Sequence, residues 1–171
     1  MGDFSSIYSG SKKLGFGLMR LPLLNPGDAA SIDLEQMKQM VDTFIERGFT
    51  YFDTAWAYAG SEDAIRQALV ERYPRQSYQL ATKIAPWIDC QSREEAVSQF
   101  ETSLEKTGAG YFDFYLLHNL GEGRTEAFDR FGIWDFARDL KEKGLIKHLG
   151  FSMHDTAEAL DAVLCAHPEV E

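Results

Sequence analysis

Four side chains in this 171-residue sequence have the types and the spacing to do acid–base chemistry on a carbonyl group. Asp53 and Tyr58 stand in YFDTAWAY, Lys83 closes LATK, and His118 ends FYLLH. Each falls where a short apolar run gives way to a loop. A phenol titrates at about 10 and is a poor acid near neutral pH. An ammonium beside it would stabilise the phenolate and match the acid to the task of protonating an alkoxide. Lys83, flanked by Ala81, Ile84 and Ala85, could be that ammonium. Buried alone it would be costly, and Asp53 could supply its carboxylate partner. His118 could then orient the carbonyl oxygen. A nicotinamide hydride delivered to carbon, with the proton delivered to oxygen by Tyr58, uses all four groups and needs no metal.

Each residue also has a plainer explanation. Asp53 could cap the next loop, Lys83 could be a solvent-exposed strand end, Tyr58 could be a packed aromatic beside Trp56, and His118 could be a satisfied core histidine. What favours chemistry is their common position at strand ends, which places them on one rim. That rim requires parallel strands. Apolar runs beginning near Leu14, Phe49, Tyr78, Phe112 and Lys147 alternate with helical patterns, the signature of repeated βα units. Leu34, Met37, Val41, Phe44 and Ile45 share one helical face, closed by Gly48. Ser92 with Glu95, and Asp155 with Glu158, have capping-box spacing. One helix is expected from Ser61 to before Pro74, and another from about Phe128 to Gly144. Residues 1–13, with a turn at Gly10-Ser11, read as an N-terminal extension and a candidate hairpin ahead of one domain spanning 14–171.

Five such units are about five of the eight of a (β/α)₈ TIM-type barrel, here incomplete, or most of an open doubly wound parallel sheet. The barrel is favoured because the reactive residues come from several different strand ends. No strand leads into G-x-G-x-x-G; the nearest cluster, Gly15-Phe16-Gly17, runs on to Pro22 instead of a helix. A whole barrel takes about 250 residues, so roughly three units are expected to be missing.

Composition narrows the classes of function. A hydrophobic fraction of 44% supports a substantial core, and a formal charge of −10 without a basic stripe argues against nucleic acid or anionic membrane surfaces as partners. No apolar run could span a bilayer and the first ten residues lack a hydrophobic signal core, so a cytoplasmic location is expected. Cys90 and Cys165 have no CxxC partner and read as reduced thiols. There is no HExxH, and His148, His154 and His167 have no evident co-ligands, so no metal site is expected; nor is there a G-x-S-x-G elbow. Ser152, after KHLGF, could offer a hydroxyl to a nicotinamide carboxamide, or simply open the next helix.

In combination, GFGLMRLP, GFTYFDTAWAYAGSED, LATKIAPW, FDFYLLHN and IKHLGFSMHD resemble the aldo-keto reductases, over essentially all of residues 14–171. The resemblance implies a (β/α)₈ barrel reducing small carbonyl substrates with NADPH. It further implies that Asp53, Tyr58, Lys83 and His118 are the catalytic tetrad with Tyr58 as general acid and base, that Gly17, Leu18 and Met19 line the nicotinamide end, and that Ser152 binds its carboxamide. Met153 stands where the family often has asparagine, and the GFSMHD form is more like the branch that carries a C-terminal iron–sulfur segment. The resemblance also implies that most of the grip on the cofactor's phosphates lies in loops after the seventh and eighth strands, outside these units. The alternative expectation is a truncated or non-catalytic barrel fragment acting only through assembly with a partner chain. Either way, exposed strand edges lead to the expectation of a homo-oligomer.

Overall fold

The computed structural model describes residues 12–171. Most of the candidate hairpin over residues 1–13 therefore lies outside the described residues. Five strands form one sheet: β1 (Gly15–Gly17), β2 (Tyr51–Asp53), β3 (Gln79–Ile84), β4 (Phe112–Leu120) and β5 (Ile146–Met153). Every neighbouring pair is parallel and the spatial order is the sequence order, β1-β2-β3-β4-β5. A doubly wound sheet reverses its strand order at a switch point, and this sheet has none, so the open-sheet alternative is set aside in favour of a barrel segment. Beyond the last helix, the Glu171 amide donates to the Leu149 carbonyl at 2.9 Å, bringing the chain back alongside β5.

The crossovers are helical. α1 (Leu34–Glu46) starts at Asp33, whose side chain accepts from the Gln36 amide, and buries Met37 and Val41. α2 (Ser61–Ile65) continues into a π-helical turn over Arg66–Val70 that buries Ala68 and Leu69. α3 (Arg93–Thr107) buries Ala96 and Phe100. Its cap follows the expected box in part: the Ser92 hydroxyl accepts from the Glu95 amide, while the Glu95 carboxylate reaches one residue further back, to the Gln91 amide.

The helix expected from Phe128 to Gly144 is instead two, α4 (Thr125–Arg130) and α5 (Ile133–Glu142). The break is Gly132 at φ +60°, where the Arg93 guanidinium takes the Phe131 carbonyl and joins the Phe136 amide on that of Gly132. α6 (Ala157–Ala166) is capped by Thr156, which accepts from the Ala159 amide, one residue later than the expected Asp155. Asp155 is occupied elsewhere, accepting from the Glu122 and Thr156 amides.

The core lies between the sheet's outer face and these helices: Phe52, Leu80, Ile84, Tyr115, Leu117 and Leu149 pack with the buried helix residues. Each fully buried side chain of this size contributes roughly 1.5–3 kcal/mol. Because strand residues alternate in direction, burying Phe52 and Ile84 outward commits Asp53 and Lys83 to the other face. Sequence periodicity thus sets the reactive side chains on the inner side before any of them touch.

Candidate active site

Asp53 ends β2, Lys83 lies one residue before the end of β3, and His118 lies near the end of β4, so three adjacent strands deliver them to one rim. Tyr58 sits in the loop before α2. That loop is held by backbone bonds from Thr54 to Ala81, Trp56 to Lys83 and Tyr58 to Ala55, all between 2.9 and 3.1 Å. It is therefore an extension of the sheet, and its tyrosine is held over β3.

Lys83 is the hub. Its ammonium donates to Asp53 Oδ1 at 2.6 Å and to the Thr54 carbonyl at 2.7 Å, and lies 3.4 Å from Tyr58 Oη. It also stands 4.8 Å from the centre of the Tyr58 ring. The Lys83 side chain is 5% exposed and that of Asp53 28%, so the cation is the buried member of the pair. His118 presents its ring edge-on to Tyr58, with centroids 5.5 Å apart. Burial first, then the charges of Lys83, His154 and Arg124, push the His118 imidazole down to about 4. The ring is accordingly neutral across the physiological range, able to donate from one nitrogen and accept at the other. Its Nδ1 is buried with no hydrogen-bond partner among the described residues.

The residues expected at the nicotinamide end behave differently from one another. Gly17 pairs with Asp53 in the ladder, is exposed, and has no atom within 4 Å of where a Cβ would stand. Open space beside the Lys83–Asp53 pair suits the approach of a flat ring. Met19 is exposed, whereas the Leu18 side chain is buried in the core and its amide donates to the Asp53 carbonyl, leaving its backbone at the rim. The Ser152 hydroxyl accepts from the Asn119 amide at 2.8 Å, and its own proton has no acceptor among the described residues. That free donor is what a carboxamide oxygen requires.

Several residues at the rim escaped the sequence reading. Trp87 donates from Nε1 to the His118 carbonyl at 2.9 Å and stands 6.2 Å from the His118 ring. Arg124 donates to the Asn119 carbonyl at 2.7 Å and to the Glu122 carboxylate at 2.9 Å. A single basic residue in the polar loop that follows the candidate histidine was the available signal for Arg124. Glu62, on the far side of β3 from Lys83, is buried and accepts from the Thr82 hydroxyl at 2.7 Å. Burial pushes its carboxyl up, partly opposed by the hydrogen bond from Thr82, and its Oε2 is buried without a partner among the described residues. No set of three His, Cys, Asp or Glu side chains among the described residues is placed to hold a metal ion, and no described helix is long and apolar enough to cross a membrane.

A consecutive parallel βα sheet with a buried, ion-paired lysine, a tyrosine and a neutral imidazole on its carboxyl rim defines a segment of a (β/α)-barrel with its polar cluster at the carboxyl ends of the strands. The sequence profile of the aldo/keto reductase family matches residues 13–170, and the chain belongs to that family. It is 29% identical over 133 residues to an aldo-keto reductase of Bombyx mori, covering 71% of this chain and 42% of that protein. An aldo-keto reductase of Mycolicibacterium vanbaalenii is 32% identical over 146 residues, covering 84% of this chain and 49% of the relative. Among solved structures, the Klebsiella pneumoniae aldo-keto reductase in complex with NADPH superposes with a TM-score of 0.62 at 26% identity, over 88% of this chain and 48% of that one. The chain thus spans just under half the length of the relatives it matches, and its five-stranded sheet is part of their barrel.

Proposed function

We propose that this chain carries the reaction centre of an NADPH-dependent reductase of aldehydes or ketones, with Tyr58 as the proton donor. The observation that carries this reading is the Lys83 ammonium, 2.6 Å from Asp53 and 3.4 Å from the Tyr58 hydroxyl on the carboxyl rim of a parallel sheet. NADPH, when bound, supplies the hydride. The residues present fit its nicotinamide end: Gly17 leaves room beside Asp53, Met19 is exposed at the same edge, and Ser152 has a free hydroxyl proton for a carboxamide.

The division of labour follows from position. Asp53 holds the ammonium, so Lys83 faces the phenol as a cation without a second partner having to move. The Lys83 ammonium, 3.4 Å from the Tyr58 oxygen, faces the atom on which charge develops as the hydroxyl gives up its proton. His118, neutral, can donate a hydrogen bond to the substrate oxygen and so fix it within reach of the Tyr58 hydroxyl. Such positioned proton transfer is worth about 10²–10⁴ in rate.

The test is Tyr58→Phe. Turnover of benzaldehyde with NADPH should be abolished while NADPH affinity, read by fluorescence quenching, is kept; undiminished turnover would remove Tyr58 from its role. A second reading, in which the chain works only through assembly with a partner chain, is favoured by β1 and β5, each paired on one side only among the described strands. Micromolar NADPH binding by a monodisperse monomer would eliminate it.

A further inference from the structure

Arg124 has a hydrogen-bonding arrangement that its structural role does not use up. Nε donates to the Asn119 carbonyl at 2.7 Å, and Nη2 is shared between Asn119 Oδ1 at 3.3 Å and Glu122 Oε2 at 2.9 Å. Nη1 has no hydrogen-bond partner among the described residues. Two anchors from Asn119 fix the plane of the guanidinium, so the unused edge points in one direction and does not sweep. The residue it grips immediately follows His118, and the Arg124 charge is felt at the His118 ring.

The floor between Arg124 and the tetrad is aromatic. The guanidinium carbon stands 5.8 Å from the Trp87 ring centre, the Trp87 and His118 rings are 6.2 Å apart, and the His118 and Tyr58 rings 5.5 Å. These rings meet edge to face, and a substrate seated beside them with its carbonyl at Tyr58 would direct its far end towards Arg124. The charge balance agrees. The chain is formally at −10, yet the side chains acting on His118 from β3, from the Arg124 loop and from beyond β5 are Lys83, Arg124 and His154. Asp53 compensates Lys83, whereas among the described residues Arg124 is ion-paired by one carboxylate, Glu122, which is 67% exposed and therefore weakly held, and the Asp155 carboxylate, which feels the Arg124 charge, is already taken up by the Glu122 and Thr156 amides.

We propose that Arg124, with Trp87 beneath it, is the subsite for an anionic group, so that the preferred substrates are aromatic or similarly flat aldehydes and ketones bearing a carboxylate at the end remote from the carbonyl. This rests on the reductase reading above and names its substrate class. Glu122 occupies the guanidinium in the absence of such a substrate, and the incoming carboxylate takes the unused edge. A charge-assisted bond of this kind contributes about 1.5–3 kcal/mol, or roughly 10- to 150-fold in affinity.

The experiment compares para-carboxybenzaldehyde with benzaldehyde as substrates, and measures benzoate binding by calorimetry so that one readout is independent of turnover. Arg124→Met should lower the ratio of kcat/KM for the charged over the neutral aldehyde by at least about tenfold, and weaken benzoate by a similar factor. Glu122→Gln keeps Arg124 and its bonds to Asn119, and should raise benzoate affinity several-fold by removing the competing carboxylate. Equal losses on both aldehydes in Arg124→Met, or benzoate affinity unchanged in either variant, would overturn the subsite. If the unaltered protein reduced neither aldehyde but bound benzoate in an Arg124-dependent way, the subsite would stand and the reductase reading would fall.

Discussion

The Lys83–Asp53 pair makes an asymmetric prediction, because its two members are buried to different depths. With side chains 5% and 28% exposed, the ammonium depends on its partner more than the carboxylate does. Asp53→Ala removes the countercharge and leaves the ammonium with the Thr54 carbonyl at 2.7 Å and the Tyr58 hydroxyl at 3.4 Å, both neutral. Breaking a buried pair in this direction costs about 3–5 kcal/mol. Lys83→Met instead orphans the buried Thr54 carbonyl, about 1–3 kcal/mol, while water rehydrates most of Asp53 and methionine refills most of the volume. Asp53→Ala should therefore be the more damaging change by roughly 2 kcal/mol. In a domain of this size that separates the two melting midpoints by about 4–8 °C. The double variant, having no stranded charge, should be more stable than Asp53→Ala alone. Urea unfolding of the three variants, with slopes compared to check that one transition is being read, measures this directly. If Lys83→Met were the more destabilising, or if the two losses simply added, the buried lysine would not be held by Asp53 and its position beside Tyr58 would need another cause.

Two further outcomes follow from groups whose titration is displaced. His118, pushed down to about 4 by burial and neighbouring cations, should keep a neutral ring by NMR until the pH approaches that value; a midpoint near the ordinary 6.5 would contradict the packing around it. Since its folded value lies below its unfolded one, its contribution to stability is complete above about 6.5 and is lost as pH falls through about 4. Glu62 has the opposite sign. Burial raises its carboxyl, so the folded state favours the protonated form, and that advantage is lost as pH rises through the folded value. Glu62→Gln keeps an acceptor for the Thr82 hydroxyl and should stabilise the protein at neutral pH by about 1 kcal/mol, with the gain shrinking towards acid pH; a gain independent of pH would show that charge burial is not its source.

The strands and their rim were legible in the sequence because strand parity couples two things that can be read separately. Apolar Phe52, Leu80 and Ile84 mark the face that packs on helices, so Asp53 and Lys83, offset by one, must share the other face. The helix that was read through residues 131–132 failed for a non-local reason. Gly132 takes a positive φ where the Arg93 side chain, distant in sequence, satisfies the Phe131 carbonyl at the break. The Asp155 cap was misplaced for the same kind of reason, since its carboxylate is engaged by the Glu122 amide across the rim.

The loop after β4 shows most sharply why such features stay hidden. Asn119 and Glu122 hold φ of +62° and +49°, conformations uncommon for side-chain-bearing residues, glutamate more so than asparagine, that contacts from outside the loop help to hold. Ser152 and Asp155 from the end of β5 do so by accepting from the Asn119 and Glu122 amides at 2.8 and 2.9 Å. The orientation of Arg124 is thus set by residues about thirty positions later in the chain. Under the proposed function, Ser152 therefore has two claims on its hydroxyl, a structural one on the oxygen and one on the proton for the cofactor. Ser152→Ala should for that reason disturb the selectivity set by Arg124 as well as the grip on the carboxamide, whereas a serine serving the cofactor alone would leave the ratio of charged to neutral substrate unchanged.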